Sequence, residues 1–181
     1  MLAARPVPIG CRLIERSLFL GLHNLTDAFH VPAGQDRSHE KPLSIWGLIP
    51  LAIKVSSKDT GGALFVFEHR HMGKGGPPRH VHHEQDEWFY VVQGTFRMEV
   101  GDERFLLRPG DSLFAPRKIP HAWACISDEP GTLLTTVSPA GTFETFILNT
   151  TRHATLPTPE EVARAFAAHG MTVTGPPLPV E

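Results

Sequence analysis

Three histidines and two glutamates lie within the eight residues from His80 to Glu87, inside the stretch GGPPRHVHHEQDEWFYVVQG that runs from Gly75 to Gly94. Successive side chains of a strand point to opposite faces, so His80 and His82 share one face while Val81 and His83 take the other. Two imidazoles on one face form a pair of metal ligands, and a nearby carboxylate supplies a further ligand or a proton acceptor. Glu87 lies five residues beyond His82, an odd offset that an unbroken strand would carry to the opposite face. The polar run His83, Glu84, Gln85 and Asp86 predicts a bend or bulge that resets the parity. Glu87, Phe89 and Val91 then look into the same interior as His80 and His82, and Gly94 ends the run in a tight turn.

A further histidine stands downstream in PGDSLFAPRKIPHAWAC, Pro109 to Cys125. The Gly110-Asp111 turn leads into a short apolar strand, Pro116 breaks it, and His121 opens the next. By parity His121, Trp123 and Cys125 share a face. If that face is interior, His121 meets His80, His82 and Glu87, and Trp123 builds an apolar wall. Three imidazoles and one carboxylate suit Fe, Mn, Co, Ni or Zn, and ligand type alone does not choose among them. Four protein ligands close a tetrahedral zinc site but leave positions open on a metal that prefers five or six. His83 is expected at the rim. His23, His69 and His71 match no ligand pattern and are expected to be exposed.

Such a site needs strands to hold it, and the chain from Leu43 has their texture. Short β-like runs cover Ile45 to Val55, Ala63 to His69, His80 to His82, Glu87 to Gln93, Thr95 to Val100, Glu103 to Leu107, Ser112 to Ala115, His121 to Ile126 and Leu133 to Ser138. Phe143 to Leu148 is a candidate last strand. Gly101-Asp102 reads as a two-residue hairpin turn. About nine short strands with no helix between them predict an all-β antiparallel sandwich or barrel. One helix is expected near the end, with Thr158 and Glu161 as a capping box, Pro159 at the first position and Gly170 at the stop. Its sparse apolar stripe, Val162, Phe166 and His169, predicts a place on the outside of the barrel. Residues 174–181 are expected to be extended. The expected organisation is an amino-terminal arm (1–44), a barrel (45–148) and a tail with one helix (149–181).

Composition narrows the function classes. A formal charge of -2 over 181 residues offers no basic stripe to neutralise phosphates, so nucleic acid is not an expected partner. No apolar run approaches the roughly 18 residues of a membrane span. Arg12, Glu15 and Arg16 interrupt any leader core around Leu18 to Leu20, which predicts a soluble, cytoplasmic protein. Cys11 and Cys125 lack C-x-x-C spacing, so neither a disulfide framework nor a zinc ribbon is expected. The 17 prolines and 16 glycines suit many turns.

Together, the two histidine-bearing stretches resemble the cupin superfamily. Its first motif has two histidines one residue apart, then a glutamate, then a glycine, as in His80, His82, Glu87 and Gly94. Its second runs from a glycine through a proline to a histidine, as in Gly110, Pro116 and His121. Lys118 stands where the second motif usually has glycine, and Cys125 where it usually has asparagine. The glycine that opens the first motif is displaced to Gly75 or Gly76. The resemblance covers roughly Leu43 to Leu148 and implies a jelly-roll β-barrel with one divalent transition metal ion per subunit. Fe, Mn, Ni or Co would be held by His80, His82, Glu87 and His121, with Zn also possible. It further implies a homodimer, with the amino-terminal arm as the contact.

Within that superfamily, Asp59 to Gly62, Asp86 to Tyr90, Pro139 to Phe146 and Gly170 to Leu178 look most like small bacterial single-barrel cupins. These are similar to the single-domain quercetinases, metal-dependent dioxygenases that cleave flavonol rings. That resemblance implies a dioxygenase for a small aromatic or enol substrate, using dioxygen, with Glu87 as both ligand and catalytic base. Phe89, Met98, Phe114, Trp123 and Cys125 are the candidate pocket. Trp88, Tyr90, Phe65 and Phe67 are expected to pack in the core or an interface. Two other classes stay open: a metal-dependent isomerase, decarboxylase or hydrolase, and a non-catalytic small-molecule binding module.

Overall fold

The structure, a computed structural model, describes residues 28–37, 43–152 and 156–181. Eleven strands among them pair antiparallel into two sheets that form a jelly roll. The six-stranded sheet has the spatial order β1 (Leu43–Ile45), β2 (Ile49–Val55), β3 (Phe65–Met72), β10 (Gly131–Ser138), β5 (Asp86–Gln93) and β8 (Ser112–Ala115). The five-stranded sheet has the order β11 (Met171–Pro177), β4 (Pro78–His82), β9 (His121–Cys125), β6 (Phe96–Val100) and β7 (Glu103–Leu107).

Period-two patterning decides which side chains fill the space between the sheets. On β5, Glu87, Phe89 and Val91 are buried while Trp88 and Val92 face out; on β6, Phe96 and Met98 are buried. Removal of these alternating apolar side chains from water drives the two sheets together. Val100 pairs with Glu103 across the expected two-residue turn, where Gly101 takes φ 58°. Ile45 to Val55 is not one strand, however. Trp46 and Gly47 adopt left-handed backbone, φ 48° and 72°, and fold β1 back onto β2 with Leu43 opposite Leu51.

Phe143 to Leu148, the candidate last strand, is instead part of helix α1 (Phe143–Thr150). Phe143, Phe146 and Ile147 have the i, i+3, i+4 spacing of a helical face and are buried together. Glu144 anchors the first turn by accepting hydrogen bonds from the Ser56 hydroxyl at 2.8 Å, the Ser57 backbone N–H at 2.8 Å and the Ser57 hydroxyl.

Helix α2 (Pro159–Ala167) starts at the expected capping box: Glu161 N–H donates to the Thr158 hydroxyl at 3.3 Å and Thr158 N–H donates to the Glu161 carboxylate at 2.8 Å. It lies over the barrel as expected, but Phe166 is buried and reaches the histidines. The following segment is extended, as expected from residue 174 onward, and pairs as β11 with β4, Met171 opposite His82, which completes the small sheet.

Most of the expected amino-terminal arm, with Cys11 and His23, lies outside the described residues. Its described part ties to β2, where Ile53 N–H donates to Asp36 at 2.6 Å and Arg37 N–H donates to the Ile53 carbonyl at 2.8 Å. No helix among the described residues is long and apolar enough to cross a membrane.

Candidate metal centre

The cluster bridges the two sheets. His80 and His82 project from β4, His121 from β9 directly opposite His80, and Glu87 from β5 in the facing sheet. β4 ends at His82 and β5 begins at Asp86, so the intervening residues carry the chain between sheets and reset its parity. All four side chains are buried, and one ligand atom from each lies within 4.8 Å of the others.

Two backbone features bring β4 and β9 together. A side chain at Gly76 would place its Cβ 1.8 Å from the Trp123 carbonyl oxygen, so only glycine permits this approach. Gly75 and Cys125 exchange both backbone hydrogen bonds, at 3.0 and 2.9 Å. At the other end Lys118, at the position where glycine is usual, takes φ 68° and donates its N–H to the His82 carbonyl at 2.7 Å.

Each imidazole is oriented by an oxygen that can only accept. The Nδ1 atoms of His80, His82 and His121 donate to the Pro78 carbonyl at 2.7 Å, the Gln85 side-chain oxygen at 3.4 Å and the Ile119 carbonyl at 3.2 Å. With Nδ1 carrying the proton, Nε2 of each ring presents a lone pair. His121 Nε2 stands 2.8 Å from Glu87 Oε2, and His82 Nε2 stands 3.8 Å from the same oxygen with no hydrogen-bond partner among the described residues. Acceptors gathered this closely need a positive charge among them, and a metal ion fits the donor set.

The electrostatics agree with that chemistry. Burial above all, helped by the neighbouring imidazoles, holds the His80 pKa down to about 3, and burial lowers His82 as well. Burial pushes the Glu87 carboxyl up, but His82 and His121 outweigh it and hold the group at about 2. Burial that disfavours protonation of His80 and His82, beside a carboxylate held in its ionised form, acts in the direction that metal binding requires.

A cavity of about 40 Å³ adjoins the cluster, lined in part by Glu87, His80, His69, Trp123 and Thr135. Phenylalanines from the helices cap it. Phe143 lies 5.3 Å from the His82 ring, and Phe166 lies 5.1 Å from His80 and 4.9 Å from Phe146, centroid to centroid. Pro77, Phe146 and Phe166 also line a surface groove of about 620 Å³.

Of the candidate pocket residues, Trp123 lines the cavity. Phe89 is buried 6.2 Å from the His121 ring, while Met98 and Cys125 pack in the core beside Phe96 and Leu107. Phe114 is 55% exposed, because it pairs with Trp88 on the outer side of the large sheet. Phe65 and Phe67 are core, and Phe67 also lines the cavity. His83 is exposed and bonds Thr172 at 2.9 Å.

His69 was expected at the surface but is 2% exposed, between Phe67 and Trp123. The alternation Phe65, Phe67, His69 was the available signal, since it puts the histidine on the core face of β3. Thr135, Phe143, Phe146 and Phe166 are the other residues of the site that motif spacing does not single out.

Comparison with known proteins agrees with these features. Residues 67–137 match the cupin domain family. An uncharacterised protein of Methanocaldococcus jannaschii is 31% identical over 51 residues, a match that spans 28% of this chain and only 41% of that protein. KdgF from Halomonas sp. is 27% identical, with 55% of this chain and 87% of that chain covered and a TM-score of 0.47. An RmlC-like cupin from Shewanella frigidimarina is 26% identical, with 62% and 93% covered and a TM-score of 0.48. With the cupin-domain match spanning β4, β5 and β9, and both motifs converging on one buried cluster inside a jelly roll, residues 67–137 form a cupin domain.

Proposed function

We propose that this cupin is a metal-dependent enzyme for a small oxygenated substrate, with dioxygenation of an aromatic or enol compound as its leading chemistry. The observation that carries the reading is the convergence of three oriented imidazoles and one carboxylate at the edge of a cavity walled by aromatic rings. A bound Fe, Mn, Co, Ni or Zn ion would polarise and orient an oxygen ligand. The carbonyls of Pro78 and Ile119 hold two of the imidazoles in the ligating tautomer. Among the described residues Glu87 is the one anionic side chain lining the cavity, so it is the carboxylate available to take a substrate hydroxyl proton. His82 and His121 outweigh burial and hold its carboxyl below the usual carboxylate range, in the ionised form that both a ligand and a base need. Phe143, Phe146 and Phe166 exclude water.

The size of the cavity bears on the substrate. About 40 Å³ is far below the roughly 300 Å³ of a typical ligand pocket, so a flavonol enters only if the capping rings move, whereas a compound of a few heavy atoms does not need them to. The polar atoms of His69 and Thr135 in that lining favour a second reading, Lewis-acid chemistry on a hydroxylated substrate without dioxygen. Elemental analysis of protein purified without added metal or chelator, beside the His80→Ala/His121→Ala variant, tests the shared premise. Near-stoichiometric metal that disappears in the variant is expected; no metal even after reconstitution overturns the enzyme reading. Oxygen uptake with small enols and diketones separates the two chemistries, because turnover under strict anaerobiosis removes the dioxygenase.

We also infer a homodimer in solution. Trp88 stacks on Tyr90 at 5.9 Å and pairs across the strands with exposed Phe114, an aromatic patch at the edge of the large sheet. Light scattering that gives the mass of one chain would sink this.

A further inference from the structure

Three polar side chains stand on one diagonal across the inner face of the large sheet. Glu87 on β5 is opposite Val137 on β10, Thr135 on β10 is opposite Phe67 on β3, and His69 on β3 is opposite Leu133. Each step from Glu87 to Thr135 to His69 therefore crosses one strand and moves along it by two residues, the spacing of diagonal neighbours on one face. The positions between them, Phe67, Phe89, Leu133 and Val137, are apolar and buried.

Glu87 has partners in the histidine cluster. Thr135 Oγ1 and His69 Nδ1 have none among the described residues, although both atoms are buried and both residues line the cavity that touches Glu87. Native interiors rarely leave buried polar atoms unpaired, and a cavity of about 40 Å³ has room for a polar occupant. The other ring nitrogen of His69 donates to the Pro50 carbonyl, which leaves Nδ1 an acceptor. The Thr135 hydroxyl can donate. The pair suits a hydroxyl group that gives its proton to His69 Nδ1 and receives the proton of Thr135.

We propose that His69 and Thr135 form a binding subsite for a hydroxyl group of the substrate, and that the substrate is a small α-hydroxy or enol compound whose second oxygen is directed to the His80, His82, Glu87 and His121 cluster. The placement of that second oxygen rests on the metal reading above.

The test uses Co²⁺-reconstituted protein and two probes that differ by one hydroxyl, glycolate and acetate, titrated calorimetrically. The wild type is expected to prefer glycolate by roughly tenfold, the scale of one or two hydrogen bonds. Thr135→Val and His69→Phe should bring the ratio to about one, and Thr135→Ser should restore it. A ratio that is near one in the wild type, or unchanged in the variants at full metal content, overturns the subsite. Thermal unfolding of metal-free Thr135→Val is the second readout. Its Tm should be unchanged or raised, because no hydrogen bond is lost, and a fall of about 3 °C or more would show a structural hydroxyl and overturn the proposal. This arm needs no metal, so a protein that never loads Co²⁺ sinks the metal reading while the subsite is still decided.

Discussion

Phe166 closes the site from α2, and its truncation to alanine links stability to access. The ring is 3% exposed; it meets His80 edge-on at 5.1 Å and Phe146 at 4.9 Å, and stacks on Trp46 at 6.5 Å. Burying a phenylalanine contributes about 1.5–3 kcal/mol and an aromatic contact roughly 0.5–1.5 kcal/mol more. Phe166→Ala should therefore cost about 3–4 kcal/mol, in the lower part of the range for buried phenylalanine, because α2 lies at the surface and its neighbours can close in. A loss of that size shifts the urea midpoint at constant m-value and leaves a foldable protein. Phe166 also lines both the cavity beside the cluster and the surface groove, so the truncation joins them. Removal of bound metal by EDTA should then be faster than in the wild type. Phe166→Leu, which keeps much of the volume, should lose less stability and stay close to the wild-type stripping rate. A midpoint shift worth less than about 1 kcal/mol, or an unchanged stripping rate in a destabilised Phe166→Ala protein, would refute the assignment of this ring as the closure.

Four other outcomes follow from local geometry. Gly76→Ala forces a Cβ onto the Trp123 carbonyl oxygen and should cost more than about 2 kcal/mol in urea unfolding, whereas Gly73→Ala, with open space around it, serves as a near-neutral control. Glu144→Ala strips the acceptor from Ser56 and Ser57 and should lose about 1.5–3 kcal/mol, with amide exchange accelerated across α1. Hydrogen bonds from Arg117 to Asp86, at 2.7–3.1 Å, hold the Asp86 carboxyl below its usual 3.8. The contribution is complete above that value and is lost as pH falls through the lower folded-state pKa, so wild type and Asp86→Asn should differ in Tm at neutral pH and converge in acid. Lys118→Gly should raise stability by up to about 1 kcal/mol, because φ 68° strains lysine but not glycine, and a lower Tm would contradict that reading.

Local pattern made much of this protein legible. The alternation along β5 and β6, the two-residue turn at Gly101 and the capping box of α2 are set by neighbours within a few residues, so they can be read from the chain. The ligand spacing is of the same kind, since the polar break after His82 announces the change of parity that lets Glu87 join the histidines. Distant partners decided the remainder. Phe143 to Leu148 is short and apolar enough for either a strand or a helix, and the helix is held by Glu144 reaching serines more than eighty residues earlier. The parity of Phe114 was readable, but which side of β8 is outside depends on the pairing with Trp88. His69 carries no motif, and its role comes from lying diagonal to Thr135 across two strands far apart in sequence. A strand's period is a property of its own backbone, whereas the identity of its interior face, and of the helix that covers it, exists only once the sheets have packed.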